Sequence, residues 1–509
     1  MGQAPDGVVI MGAGPAGLTA ARELVRLGRP VTVLERDPVY VGGIARTARH
    51  HGYRFDIGGH RFFSKNAEIE RLWSEILGPE LLERARLSRM YYRGRFFDYP
   101  IRAVNALRQL GPLEAIRCFL SYMRARLHPV ADPVTLEDWV SNQFGRRLYE
   151  IFFKTYNEKV WGMPASEISA DFAAQRIKGL DMKQLILTAL RPQRAEDGGP
   201  VIKTLIDRFR YPRLGPGELW ETVAAGLEAD GYPVRLGREV VRVQWEPGRV
   251  TSVVTRDADG REESVAGSDF VSTLPIRDVI QALSPAAPAD VREAAGRLGY
   301  RDFLTVALIV DAPHLFPDNW IYIHDPGVRV GRLQNFKNWS PDMVPDPQRT
   351  CIGMEYFCFE GDGLWTSGDD ELIELASEEL ARLGLARRDQ VIDGAVVRQP
   401  KAYPVYDDSY QRHLRVVRGW LTEALPNLSL CGRNGMHKYN NQDHSMMTAL
   451  IVARRVAGVS DLDPWRVNAD AEYLEGEPQE ERDDGRLLPR SAAGTRPTAC
   501  ADHAPPGPE

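Results

Sequence analysis

Apolar residues run unbroken from Val8 to Met11. From Ala16 to Leu27 they recur at helical spacing, and Gly28 stops the run. Val31 to Glu35 is a second buried strand, so the chain opens as a βαβ unit. Residues 66–176 read as mostly helical. Within them, Glu114 to Leu127 is amphipathic and carries Arg117, Arg124 and Arg126; a helix packed on its own domain suits this pattern better than a membrane-surface helix. Residues 180–216 are broken by Asp197-Gly198-Gly199-Pro200, as in a mobile lid. A helix follows (Glu218 to Asp230), then strands at Val234 to Gln244, Val250 to Arg256 and Asp269 to Thr273. Strand signals are dense from Phe303 to Glu355. Leu428 to Gly432 is a last buried strand, followed by a loop and a helix from Ser445 to Val456. From Glu475 the chain is acidic, then rich in Pro, Ala and Gly. It has too few large apolar side chains to offset its ordering entropy and is expected to be disordered.

Composition narrows the classes. The 509 residues are 43% hydrophobic and 26% charged, which suits a globular protein of two or three domains. A net charge of -6 gives no basic footprint for nucleic acid, so any cationic pocket is local. Five cysteines (Cys118, Cys351, Cys358, Cys431, Cys500) lack metal-ligand or disulfide spacing. They fit a reducing cytoplasm and no metal centre. The stretch from Val8 to Ala20 has Asp6 before it and glycines within it, unlike a signal peptide. No run is long enough for a transmembrane anchor.

The sharpest motif is Gly12-Ala13-Gly14-Pro15-Ala16-Gly17 between strand and helix. Gly12 allows the turn, Gly14 lets backbone approach a pyrophosphate, and Gly17 lets helix pack on strand. Pro15 and Ala16 open a helix whose N-terminus faces the phosphates. Glu35 ends the second strand, placed to accept ribose hydroxyls. Gly42-Gly43 and Arg46 follow it: the glycines let the loop pass close to the cofactor, and Arg46 can pair with a phosphate. Leu428 to Arg433 repeats the logic, a strand running into Gly432 and Arg433.

The glycine pair after Glu35 resembles the second FAD signature of glutathione-reductase-like flavoproteins. More specifically, the chain resembles UDP-galactopyranose mutases from Val8 to Ala457. Phe55-Asp56-Ile57-Gly58-Gly59-His60, Tyr156-Asn157-Glu158-Lys159-Val160-Trp161-Gly162, Ala402-Tyr403-Pro404-Val405 and the segment from Gly432 through Tyr439 to Leu450 carry the likeness. The resemblance implies FAD, active when reduced, with NAD(P)H or another reductant supplying electrons. It places His60 and Gly59 at the flavin's reactive edge, and Arg36 and Val240 beside the cofactor. It stacks Tyr156 on a uracil, sets Trp161 on the nucleotide side, and has Tyr403 and Tyr439 donate to a diphosphate. Arg332 would lie between sugar and diphosphate, with Asn441 nearby. His60, Arg332, Tyr403 and Tyr439 form the implied catalytic set. The chain departs from the family at Leu180, four residues after Arg176, where an arginine is usual; Lys178 and Arg213 are candidate replacements. Asn441 replaces an acid, and the lid is longer.

The expected fold is α/β: a glutathione-reductase-like Rossmann FAD-binding domain with a helical insertion and a sheet-bearing substrate domain. Residues 1–65, 217–280 and 421–474 would build the FAD domain. Residues 66–216 would form the helical part with its lid, 281–420 the substrate sheet, and 475–509 the tail. Three functions follow. The first is a mutase-like enzyme acting on a nucleotide-linked sugar, the N5 of reduced flavin attacking the anomeric carbon. The second is an amine-oxidase-like or protoporphyrinogen-oxidase-like oxidoreductase that removes a hydride from a sugar or other small organic substrate. The third, a flavin-free binding protein like the Rab GDP-dissociation inhibitors, is opposed by the intact glycine motif. Expected partners are a small-molecule substrate such as a UDP-sugar, no nucleic acid and no stable membrane anchor, with homo-oligomerisation left open.

Overall fold

The computed structural model describes residues 7–99, 103–168, 170, 208–407 and 409–468. Arg176, Lys178, Leu180 and the tail from Glu475 lie outside them. A four-stranded parallel sheet takes the order Leu428–Leu430, Asp269–Ser272, Val8–Met11, Val31–Leu34. Alternation sorts its side chains. Val8, Ile10, Val31, Val33 and Val271 pack with the helices Pro15–Arg26 and Gln442–Val456. Val9, Met11, Leu34 and Phe270 pack in a second core with Val243, Val250 and Val253, from the antiparallel strands Glu239–Glu246 and Arg249–Arg256. Burial on both faces explains why these strands read as continuous apolar runs.

A second sheet has seven strands, in the order Val391–Pro404, Tyr300–Val310, Thr350–Cys358, Arg332–Asn335, Trp320–Ile323, Ser88–Tyr92, Arg95–Asp98. All neighbours are antiparallel except Trp320–Ile323 and Ser88–Tyr92. Leu304, Val306, Leu308, Ile352, Met354 and Tyr356 face the helix Asp369–Arg382 through its Leu372, Ala376 and Leu380. The intervening positions, among them Phe303, Arg332, Gln334, Glu355 and Phe357, take the opposite face.

Two of these strands correct the helical expectation for residues 66–176. Ser88–Tyr92 and Arg95–Asp98 form a hairpin turning at Arg93 and Gly94, with φ of 50° and 75°. Positive φ at both central residues is the hairpin geometry, and Tyr91-Tyr92 and Phe96-Phe97 flank it with strand-forming aromatics. Leu81–Ala85 pairs with Arg208–Pro212, so the last stretch of the expected lid is a strand. Helices resume with Pro112–Leu127 and Leu136–Phe144, capped by reciprocal Thr135 and Asp138 bonds. A π-helical turn, Glu150–Lys154, precedes the helix Thr155–Trp161.

That helix is locked to the large sheet. Lys159 Nζ donates to the carbonyls of Asp325 at 2.7 Å, Val330 at 3.0 Å and Ile323 at 3.3 Å. Gly162, at φ 67°, lets Arg301 reach the Val160 and Phe357 carbonyls at 3.0 and 2.9 Å. A Cβ on Gly162 would stand 2.5 Å from the Arg301 guanidinium carbon. Gly162→Ala is therefore expected to destabilise the fold by about 1–3 kcal/mol, read as a lower thermal midpoint with the bound-flavin spectrum unchanged.

Candidate active site

The first strand, the following helix, the loop after Val31–Leu34 and the last strand bring three glycine turns together. Gly12 has φ 98°, and a Cβ there would lie 2.3 Å from Thr273 Oγ1. Gly17 abuts the Gly12 carbonyl, which a Cβ would approach to 1.9 Å. A Cβ on Gly43 would be 3.3 Å from Gly14 Cα, and one on Gly432 would be 2.9 Å from Ala16 Cβ. Pro15 occupies the first turn of the helix, whose N-cap Gly14 carries no side-chain cap. Glu35 Oε2 accepts the Ala13 N–H at 2.7 Å and its Oε1 that of Asp37 at 3.0 Å, fixing the carboxylate across the first turn. Arg235 and Arg238 backbone bonds to Val33 and Glu35 carry the chain past this point to Val240. Arg36 is exposed beside it. Side-chain-free turns, an uncapped helix N-terminus and an anchored carboxylate fit a dinucleotide.

Arg46 is mostly buried. It donates to the Gly43 carbonyl at 2.8 Å and to Gln399 Oε1 at 2.6 Å, tying the second glycine loop to the large sheet. Burial pulls its pKa below the usual arginine range. His60 Nε2 lies 3.0 Å from the Ile44 carbonyl and 3.1 Å from that of Ile57. A nitrogen between two acceptors carries the proton. Desolvation, with Arg433 and Arg332 nearby, lowers the His60 pKa to about 4. His60 thus acts here as a neutral brace for Gly58-Gly59 rather than as an acid. A Cβ on Gly59 would come within 3.5 Å of Gln334 Oε1.

The inner face of the large sheet supplies the rest. Arg332 donates through Nε to Glu355, and its NH2 lies 3.3 Å from the Tyr403 hydroxyl. Gln334 Nε2 donates to the other oxygen of Glu355. Burial works against the Arg332 charge, but Glu355 together with Tyr156, Tyr403 and Tyr322 outweighs it and holds the arginine pKa above its usual range. Tyr403 stacks on Tyr439 with centroids 5.5 Å apart and planes at 17°. The Arg433 guanidinium lies 5.3 and 5.1 Å from these rings and donates to the Asn440 and Ala402 carbonyls. Burial raises the Tyr403 pKa, so its hydroxyl stays a donor. Tyr156 stacks on His324 at 5.1 Å and meets Tyr322 edge-on at 5.4 Å. The Tyr156 phenol lies in the field of Arg332.

His60, Arg332, Tyr403, Tyr439, Tyr156 and Arg433 therefore converge. Three of the expected residues make structural contacts of their own. Trp161, assigned to the nucleotide side, is 3% exposed and packs with Leu136, Val140 and Phe144, backing Tyr439. Asn441 begins the last helix, its N–H donating to His444 at 3.2 Å. Arg213, a candidate replacement cation, is held by Glu80 at 2.7 Å and Asp342 at 3.0 Å. Glu355, Gln334, Tyr322 and His324 escaped sequence reasoning; a lone acid in the apolar strand Thr350–Cys358 was the available signal for Glu355. His50 and His51 both hydrogen-bond Asp393 Oδ2, at 3.0 and 2.8 Å, on the stretch of strand ten residues before Tyr403.

The model of the family described as flavin containing amine oxidoreductase matches residues 15–457. The chain belongs to this family. It is an FAD-dependent enzyme. A probable UDP-galactopyranose mutase of Klebsiella pneumoniae is 28% identical over 176 residues, 32% of this chain and 43% of that protein. A phytoene dehydrogenase of Streptomyces griseus is 26% identical over 320 residues, 57% of this chain and 58% of its own. The chain thus spans about half the length of these curated relatives. A reduced UDP-galactopyranose mutase structure superposes with a TM-score of 0.77 at 22% identity, covering 91% of this chain and 99% of that one. A putative protoporphyrinogen oxidase from Exiguobacterium gives 0.65 at 17%, covering 90% and 100%. At these identities the structural likeness is one of fold.

Two predictions follow from this geometry. Gly17→Val in the flavoenzyme would drive a side chain into the Gly12 carbonyl; the purified protein is expected to lose its FAD absorbance, and full retention would refute the packing role. Burial also lowers the pKa of His324 to about 3 and of His437 to about 4, as it does for His60. Below about pH 6.5 the unfolded chain takes up protons that the folded chain refuses. Stability is therefore expected to fall by up to about 1.4 kcal/mol per pH unit per histidine, from near pH 6.5 down to the folded values. Urea midpoints across that window test this, and His324→Phe should shallow the slope.

Proposed function

We propose that this flavoenzyme isomerises a nucleotide-linked sugar, a UDP-sugar in the first instance, by mutase-like chemistry with reduced FAD. The supporting observation is the cluster of Arg332, Tyr403, Tyr439 and Tyr156 on one sheet face, opposite the glycine turn braced by His60. Bound and reduced, the flavin supplies the electron pair that an anomeric carbon needs when it loses a diphosphate. The protein binds and orients. Glu355 holds Arg332 charged and in one plane, so a guanidinium edge meets the diphosphate. Tyr403 and Tyr439 add hydroxyl donors, and their stacking fixes both rings. Tyr156, braced by His324 and Tyr322, offers an aromatic surface for the base.

A second reading is hydride removal by oxidised FAD from a less charged substrate. It is favoured by the engagement of Arg433 with backbone carbonyls and of Arg213 with surface carboxylates. Both leave fewer arginine N–H donors on offer to a diphosphate.

The deciding measurement is anaerobic incubation with a panel of UDP-sugars, the flavin either oxidised or reduced with dithionite. A same-mass isomer formed only with reduced flavin is the expected result. Bleaching of the oxidised flavin by a sugar, with no isomer from the reduced sample, would replace the proposal with the second reading. In the isomerase assay Arg332→Lys, which keeps charge but loses the planar fork, should lower kcat/KM by about 100-fold with FAD retained. An unchanged value would remove Arg332 from the diphosphate site.

A further inference from the structure

The helix Pro112–Leu127 has two apolar sides. Its inner side buries Cys118 and Tyr122 against the helical part, as the sequence pattern suggested. Its outer side carries Leu113, Ile116, Leu120, Met123 and Leu127 at alternating intervals of three and four residues. That spacing draws one stripe along a helix, about 21 Å long. The stripe is open to solvent: Leu113 is 75% exposed, Leu120 61% and Leu127 69%. Phe119 widens it, and Val130 and Val134 in the following loop extend it. A contiguous apolar surface of this kind on a polar protein marks an interaction site.

The flanks give the partner's charge. Arg117 and Arg124 border the stripe on one side and Arg126 on the other, all exposed. The helix's one acid, Glu114, is held by Arg117 and Arg147. We propose that this helix seats the enzyme on an anionic lipid surface, with the stripe in the headgroup–acyl boundary and the arginines on lipid phosphates. Docking of two copies through the stripe would set arginine against arginine in either helix orientation, since flanking positions meet flanking positions. The surface is also a convex ridge, where a helical ligand usually requires a groove; a bilayer deforms around a ridge. No described helix is long and apolar enough to cross a membrane, so the contact is peripheral.

The test is co-sedimentation of the full-length FAD-loaded protein with phosphatidylcholine vesicles, with or without phosphatidylglycerol. Light scattering of the lipid-free protein runs in parallel. The expected result is at least about tenfold stronger partitioning to the anionic vesicles. Paired Ile116→Ser and Leu120→Ser should abolish it. So should paired Arg124→Gln and Arg126→Gln, which spare the apolar stripe should the first variant misfold. Val459→Ser, at another exposed valine, should bind as wild type. Equal partitioning to both vesicle types, or none to either, would overturn the proposal. So would a lipid-free dimer that the Ile116 and Leu120 substitutions convert to monomer, which would assign the stripe to a second copy of the chain.

Discussion

The close approach of backbone to backbone around the dinucleotide cradle constrains the whole molecule. Gly17 lies so near the Gly12 carbonyl that no side chain fits, Gly43 faces Gly14, and Gly432 faces Ala16. The last of these contacts joins residues separated by most of the chain. The four strands must therefore be parallel and in one order, because only then do their ends bring the turns together. The helices Pro15–Arg26 and Gln442–Val456 lie in the same core layer for the same reason. The chain between Glu35 and Asp269, and again between Ser272 and Leu428, makes excursions that leave this sheet and return to it.

These excursions build the seven-stranded sheet by alternation. In the seven-stranded sheet, side chains on one face are aliphatic and meet a helix, while those on the other include Arg332, Gln334 and Glu355. A shift of one residue in Thr350–Cys358 would exchange that strand's faces and put Glu355 into the aliphatic core. The long register between Tyr300–Val310 and its two neighbours holds the sheet against such a slip. The Lys159 and Arg301 locks then fix the helical part to this sheet, so that Tyr156 stands over it.

The cradle was legible in the sequence because its constraint is local: glycines at positions 12, 14 and 17 between strand and helix, with Glu35 at the next strand's end. The inner sheet face was not. Thr350–Cys358 is buried at every position, so no solvent-exposed alternation marks which side of that strand carries the polar cluster around Glu355. Pairing alone decides that, and pairing is non-local. The hairpin from Ser88 to Asp98 was missed because its turn is Arg93-Gly94 rather than a familiar Asn-Gly. The segment from Tyr156 to Gly162 shows the limit of resemblance. Likeness pointed to the whole segment as lining a substrate pocket. Yet Lys159, Trp161 and Gly162 hold the scaffold, and Tyr156 is the member that faces the other aromatics of the cluster.

The Arg332–Glu355 pair explains why a charged centre can exist on a buried sheet. Isolated in such surroundings, either ion would be costly to desolvate. Here one carboxylate oxygen takes the arginine Nε and the other the Gln334 amide, so Glu355 is satisfied entirely by neighbours on its own face. The rest of the guanidinium is directed along the sheet toward Tyr403. A pair of this kind contributes little net stability compared with apolar residues of the same shape. What the pair achieves is positional: a cation held in one plane, at the junction of the tyrosine pair and the His60 turn.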